Sequence, residues 1–208
     1  MRNAFVNTLT ELARNDDNVF LVTADMGFSV FEDFREEFPD RFLNTGIAEQ
    51  NTIGIAAGLA MSGKVVYVYS IIPFITMRCF EQIRLDLAYN NANVKLVGVG
   101  AGFTYGSMGS SHHAIEDISI MRSIPNMTVL CPGDPFETEE LIKRSYEKNG
   151  PVYIRLGKNG EPTIHKNKNK IKIGELIPIT TGNDLILITT SNTLELAKQW
   201  VEEWKEDG

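Results

Sequence analysis

Short apolar runs, several rich in β-branched residues, alternate along most of this chain with stretches of helical spacing. That alternation constrains the fold more than any other feature. Parallel strands joined by helices are covered on both faces, so they read as continuous apolar segments rather than as alternating ones. Strands are expected at 18–23, 64–70, 94–99, 127–130 and 152–156. Helices are expected at 2–14, at 31–37, from Glu49 to near Gly63, and at 73–91, 114–122 and 136–148. The first helix would turn Phe5, Leu9, Leu12 and Ala13 to one face. The fold class is therefore α/β, a parallel sheet with helices on both faces. Ligands of such sheets bind beyond the carboxyl ends of the strands. Three loops fall there: 25–29, 100–113 and 155–159.

The alternation stops after residue 160. Residues 1–160 read as one domain and 161–183 as a linker, with the polar run Lys166–Asn167–Lys168–Asn169–Lys170 inside it. An expected strand at 184–190 and helix at 194–205 follow. One βα unit cannot bury its own core, so 184–208 reads as the truncated start of a second domain, or as one completed by another chain.

A formal net charge of −7 argues against general nucleic-acid binding, which needs a basic face. No apolar run approaches the roughly 20 residues that cross a bilayer, and the N-terminus lacks the apolar core of a secretory signal. Cys79 and Cys131 do not make a disulfide framework. These features set a cytoplasmic location, without membrane, as the default.

The stretch Asn44–Thr45–Gly46–Ile47–Ala48–Glu49–Gln50–Asn51 carries the clearest chemical signal. Glu49 opens a helix made mostly of Ile, Ala, Gly and Leu. A carboxylate beside such an element is costly unless something binds it, and burial of carboxylates suits proton work. The plain alternative is a helix-start acid favoured by the helix dipole. Gly98–Val99–Gly100–Ala101–Gly102 lacks the full dinucleotide-binding spacing. Ser110–Ser111–His112–His113 lacks the further ligands of a zinc site and the elbow of a serine hydrolase. A histidine in a Gly/Ser loop either meets a polar ligand or orients its loop. Phe74, Phe80 and Tyr89 read mainly as core, and Phe74, near the end of a strand, is the aromatic best placed for a ligand.

Several segments in this order resemble the pyrimidine-binding domain of transketolase-like, thiamine-diphosphate-dependent enzymes over about residues 1–160. They are Ala24–Asp25–Met26, Gly46–Ile47–Ala48–Glu49–Gln50–Asn51, His112 with Ile115–Glu116–Asp117, Met121–Arg122–Ser123–Ile124–Pro125–Asn126, and Pro132–Gly133–Asp134. The resemblance implies that Glu49 hydrogen-bonds the cofactor's aminopyrimidine nitrogen and favours the imino tautomer that takes the thiazolium proton. It implies a cofactor set of Glu49, Phe74, Asp25, Arg78 and Phe80, with Phe74 stacked on the pyrimidine. It gives His112 a catalytic place beside the substrate's reacting oxygens, and Arg2, Ser29, His112 and Arg155 a substrate-binding role toward a sugar phosphate. Met108 stands where transketolase has an aspartate, and Gly100–Ala101 where it has a further histidine. No segment matches the family's Gly-Asp-Gly…Asn diphosphate and Mg²⁺ motif, so no metal ligand is expected here. The chain thus looks like the C-terminal subunit of a split transketolase. Its N-terminal partner would hold Mg²⁺ and the diphosphate in a dimer or heterotetramer that transfers a two-carbon ketol unit. The rivals are the β subunit of a 2-oxo acid dehydrogenase, a 1-deoxyxylulose-5-phosphate synthase-like enzyme, and a non-catalytic partner subunit.

Overall fold

A computed structural model describes residues 1–27, 29–158, 160–165 and 171–206. In chain order it holds α1 (Arg2–Asn15), β1 (Val19–Thr23), α2 (Glu32–Glu37), β2 (Phe42–Asn44), α3 (Glu49–Met61), β3 (Val65–Ile71), α4 (Ile72–Thr76) and α5 (Phe80–Gln82). Then come a π-helical stretch (Ile83–Tyr89), β4 (Val94–Val99), α6 (Asp117–Arg122), β5 (Thr128–Leu130), α7 (Pro135–Glu147), β6 (Val152–Leu156) and α8 (Leu194–Glu206). The strands form one sheet in the order β2-β1-β3-β4-β6-β5, and every pairing is parallel.

The sheet is buried on both faces, as the continuous apolar runs require. All residues of β4 and β6 are buried, whereas the edge strand β2 has two exposed positions. One face packs Phe5, Leu9, Phe34, Leu141 and Ile142 against Tyr67, Tyr69 and Val97. The other packs Ile53, Ala56, Ile83, Leu87 and Met121 against Val66, Val68 and Leu96. From β1 the chain moves outward to β2, then returns across β1 to β3. That reversal opens a crevice at the carboxyl ends of β1 and β3.

The structure differs from the sequence reading in four places. β2 was not expected; it is three residues long, too short to carry a pattern. The expected helix at 73–91 is broken at 77–79. The Arg78 carbonyl there accepts from Gln50 Nε2 at 3.1 Å. The expected helix at 114–122 begins at Asp117, because Ala114 pairs with Gly102 through two backbone hydrogen bonds of 2.9 Å. Residues 184–190 form no strand, since nothing among the described residues pairs with them, and Ile186 is 85% exposed.

Parts of the expected linker lie against the domain, while residues 178–183 are exposed. Ile164 and Ile171 are buried, and Arg144 Nε donates to the Ile171 carbonyl at 3.2 Å. The lysine run Lys166–Lys170 lies outside the described residues, as do Phe28 and Asn159 of two expected site loops. Among the described residues no helix is long and apolar enough to cross a membrane.

Candidate active site at the carboxyl edge of the sheet

The ends of β1 and β2 are tied together. Asn44 Oδ1 accepts from the Asp25 and Gly46 amides at 2.9 and 3.0 Å, and Asn44 Nδ2 donates to Asp25 Oδ1 at 3.1 Å. The Thr45 amide donates to the Thr23 carbonyl at 2.9 Å, and the Thr45 and Thr52 hydroxyls meet at 2.6 Å. These bonds fix the entry to α3, whose first residue is Glu49. Its carboxylate is only 4% exposed, and Arg78 Nη1 donates to Oε2 at 2.8 Å. The charge expected to need a partner has one.

A continuous line of contacts runs from that pair. The Arg78 guanidinium lies over the Phe74 ring, with Cζ 4.5 Å from the centroid. Phe74 meets the His112 ring edge-on at 5.0 Å, and His112 meets Tyr105 at 5.6 Å. Lys158 Nζ stands 4.8 Å over the Tyr105 ring. Ser111 Oγ pairs with His112 Nδ1 at 3.0 Å; no partner meets Nε2 among the described residues. Gly100 has φ +95, and a side chain there would run into the Tyr105 ring, so glycine at this turn lets Tyr105 lie against the backbone. Burial raises the Tyr105 phenol pKa, while the charge of Arg2 pulls it down. Arg2 therefore stands at this end too, its Nε buried and without a partner among the described residues.

The site thus gathers Glu49, Phe74, Arg78 and His112, with Arg2 toward its far end and Asp25 at the end of β1. Two expected contacts stand apart from this group. Phe80 is half-buried and packs against the core cluster on the other face of the sheet, and no contact joins it to Glu49 or Phe74 among the described residues. Arg155 is 7% exposed and committed on three sides. Its Nε donates to Asp117 Oδ2 at 2.9 Å, Nη1 to Ser191 Oγ at 2.8 Å, and Nη2 to the Ala114 carbonyl at 2.9 Å. In this structure its guanidinium is a buried strut. Ser29 is exposed, in the left-handed region at φ +56, and its amide donates to Glu32 Oε1 at 2.8 Å. No contact joins it to the others among the described residues. Tyr105 and Lys158 were missed. The signal for Lys158 was its place: in a strand buried on both faces, a ligand-facing residue comes from just beyond the strand end.

The arrangement can take a flat, N–H-bearing ring. The Arg78 guanidinium is itself planar and donates N–H while lying on the Phe74 face and bonding Glu49. An aminopyrimidine makes the same two demands, so these residues fit the pyrimidine half of thiamine diphosphate.

Fold and site together define an all-parallel α/β domain that sets an acid, an aromatic ring and a histidine at a switch point. The family model described as "Transketolase, pyrimidine binding domain" matches residues 1–162. The chain belongs to the transketolase pyrimidine-binding domain family. It is 40% identical over 200 residues to a Phocaeicola vulgatus protein described as a subunit of an apulose-4-phosphate transketolase, covering 95% of this chain and 64% of that protein. It is 41% identical over 211 residues to a Methanocaldococcus jannaschii protein described as a putative transketolase C-terminal section, covering 100% of this chain and 67% of that one. A solved structure described as "Split gene transketolase, inactive beta4 tetramer" superposes with a TM-score of 0.90 at 35% identity, covering 100% of this chain and 67% of the other. The chain spans about two thirds of the length of these relatives.

Proposed function

We propose that this chain forms the pyrimidine half of a thiamine-diphosphate site in a split transketolase. A partner chain supplies the diphosphate and Mg²⁺ ligands, and the assembly moves a two-carbon ketol unit between phosphorylated sugars. The observation that carries the reading is the buried Glu49 carboxylate beside the Phe74 ring, with a flat N–H donor already seated between them. The names of the two relatives favour a transketolase over a 2-oxo acid dehydrogenase.

When bound, the cofactor supplies the electron sink that lets a carbon–carbon bond beside a carbonyl break. This chain's residues do the rest. Glu49 accepts the ring N–H and holds a proton there, strengthened by its apolar surroundings. Phe74 positions the ring by stacking. His112, oriented through Nδ1 by Ser111, offers Nε2 to a substrate oxygen. Lys158 and Arg2 attract an anionic substrate group at the far end.

The partner and the second domain belong to the same proposal. The outer side of α3 exposes Gly54 and Gly58, where an added side chain would meet nothing, and Met61 is 63% exposed. Such a face suits close packing by another subunit in a dimer or heterotetramer. Residues 1–160 form the first domain and 161–183 lead to the start of a second. The exposed run Leu185–Ile188 and the stripe Leu196, Trp200 and Trp204 on α8 suit cover by the rest of that second domain.

The test is reconstitution with a chain that carries the diphosphate motif. The complex should transfer a two-carbon unit, and this chain alone, given cofactor and Mg²⁺, should not. Glu49→Gln should lower kcat of the complex by about 10²–10⁴, with little change in melting temperature. Unchanged turnover in the Glu49→Gln complex would defeat the reading.

A further inference from the structure

We propose that Arg78 is a latch on the pyrimidine place, so that cofactor entry is an exchange of partners rather than the filling of a groove. The proposal rests on Glu49 and Phe74 being the pyrimidine cradle, and goes beyond it. Arg78 holds both halves of that cradle at once. Its Nη1 bonds Glu49 Oε2 at 2.8 Å, and its Cζ lies 4.5 Å from the Phe74 centroid. A ring that stacks on this face of Phe74 while bonding Glu49 Oε2 meets the Arg78 guanidinium in the same space.

The latch is built to move. The Arg78 side chain is 47% exposed, so it reaches solvent by side-chain rotation alone. Its backbone stays pinned, because the carbonyl accepts from Gln50 Nε2 at 3.1 Å. Consecutive residues of α3 thus grip Arg78 twice: Glu49 by the side chain and Gln50 by the backbone. Arg78 lies in the helix break at 77–79, half-exposed and paired with the buried Glu49. Its partners, an acid and an aromatic face, are the two that a guanidinium favours. The ion pair keeps the buried Glu49 charge matched until the N–H of an incoming ring replaces it.

The probe is the neutral aminopyrimidine half of thiamine, titrated by NMR onto the full chain, so that charge repulsion from a thiazolium does not enter. Releasing a half-exposed ion pair and a cation–π contact corresponds to about a five- to thirtyfold change in affinity. Arg78→Ala should therefore bind the probe more tightly than wild type by that factor, and Arg78→Lys should fall between them. In ¹⁵N-labelled wild type, the Arg78 side-chain N–H signal should move to that of a solvated guanidinium as the probe saturates. Glu49→Gln or Phe74→Ala, each on the Arg78→Ala background, should lose most of the binding. If Arg78→Ala binds no better than wild type while those two variants still lose binding, the latch is overturned and the cradle stands. If the cradle variants bind as well as Arg78→Ala, or no variant binds at tens of millimolar, the pyrimidine reading itself fails.

Discussion

Arg155→Met should destabilise the fold severely, as befits a residue whose work is internal. The guanidinium is the main cover for Asp117, which is fully buried. Asp117 Oδ2 accepts from Arg155 Nε at 2.9 Å and from the Tyr153 hydroxyl at 2.6 Å, while Oδ1 is buried with no partner among the described residues. Removing Arg155 leaves a buried carboxylate held by one phenol. It also removes the donor to the Ser191 hydroxyl and one of the two donors to the Ala114 carbonyl. Breaking a buried pair from one side costs about 3–5 kcal/mol. Both side chains are at most 8% exposed, so solvent screening does not reduce this figure. For a chain of this size each kcal/mol is about 2–4 °C, so the melting temperature should fall by about 6–20 °C. The assay is urea and thermal unfolding of wild type, Arg155→Met, Asp117→Asn and the double variant. The neutral side-chain amide that replaces the carboxylate still accepts from Tyr153, so the double variant should recover much of the loss, with a coupling of about 2 kcal/mol or more. A loss under about 1 kcal/mol, or strictly additive single effects, would refute the strut. Arg155 would then be free again for a substrate anion.

Two further outcomes follow from the structure. Lys158→Ala in the reconstituted complex should raise KM about ten- to a hundredfold for a phosphorylated donor and leave its unphosphorylated analogue nearly unchanged, since a charged hydrogen bond is worth about 1.5–3 kcal/mol; equal effects on both donors would remove Lys158 from the anion site. His165 donates from Nδ1 to Asp134 Oδ2 at 2.8 Å, a bond that raises its pKa, with Glu137 the other acid facing it. Its stabilisation is fully present below about pH 6.5, the ordinary histidine value, and is lost as pH rises through the higher folded value. His165→Gln should therefore lower the melting temperature more at about pH 5.5 than at about pH 9, and an equal loss at both would refute the linkage.

Asp134 shows why that clasp is structural. Burial alone would raise its pKa, but hydrogen bonds from the His165 ring and the Glu137, His165 and Ile164 amides outweigh it and hold the group at about 2. Through Oδ1 it caps α7, accepting from the Glu137 amide at 2.7 Å. Its lone pairs are taken by one helix end and one chain crossing, which leaves little for a metal ion despite the nearby Glu137 and His165.

The strands at 94–99 and 152–156 were legible to the residue, because burial on both faces writes an unbroken apolar run. Glu49 was legible because a lone acid opens an otherwise apolar helix. β2 was not, since three residues at an edge carry no pattern. The strand expected at 184–190 failed for a different reason: its residues are suitable, but a strand exists only by pairing. Arg155 was read as an anion ligand because an arginine beside a ligand loop suits an anion chemically. Sequence does not reveal that Asp117, 38 positions earlier, already holds it. Arg78 was named as a cofactor contact, but its pairing with Glu49, 29 positions earlier, is a tertiary bond with no local signature.

The line of contacts from Glu49 to Lys158 has a polarity that follows from the topology. α3, entered from β2, supplies the carboxylate. β3 leads to Phe74, β4 to Tyr105 and His112, and β6 to Lys158, while α1 brings Arg2. One end is therefore acidic, the middle aromatic, and the other end cationic. A molecule that matches this axis carries an N–H-bearing ring at one end and an anionic group at the other, with its reacting atoms near His112. A ring bound to Glu49 and a sugar phosphate held by Lys158 meet that description together, and neither does alone. While Arg78 covers Glu49 their charges cancel, so the acidic end of the line is neutralised. Under the latch proposal, withdrawal of Arg78 uncovers the acidic end, and seating of the ring is then linked to the electrostatic field along the line.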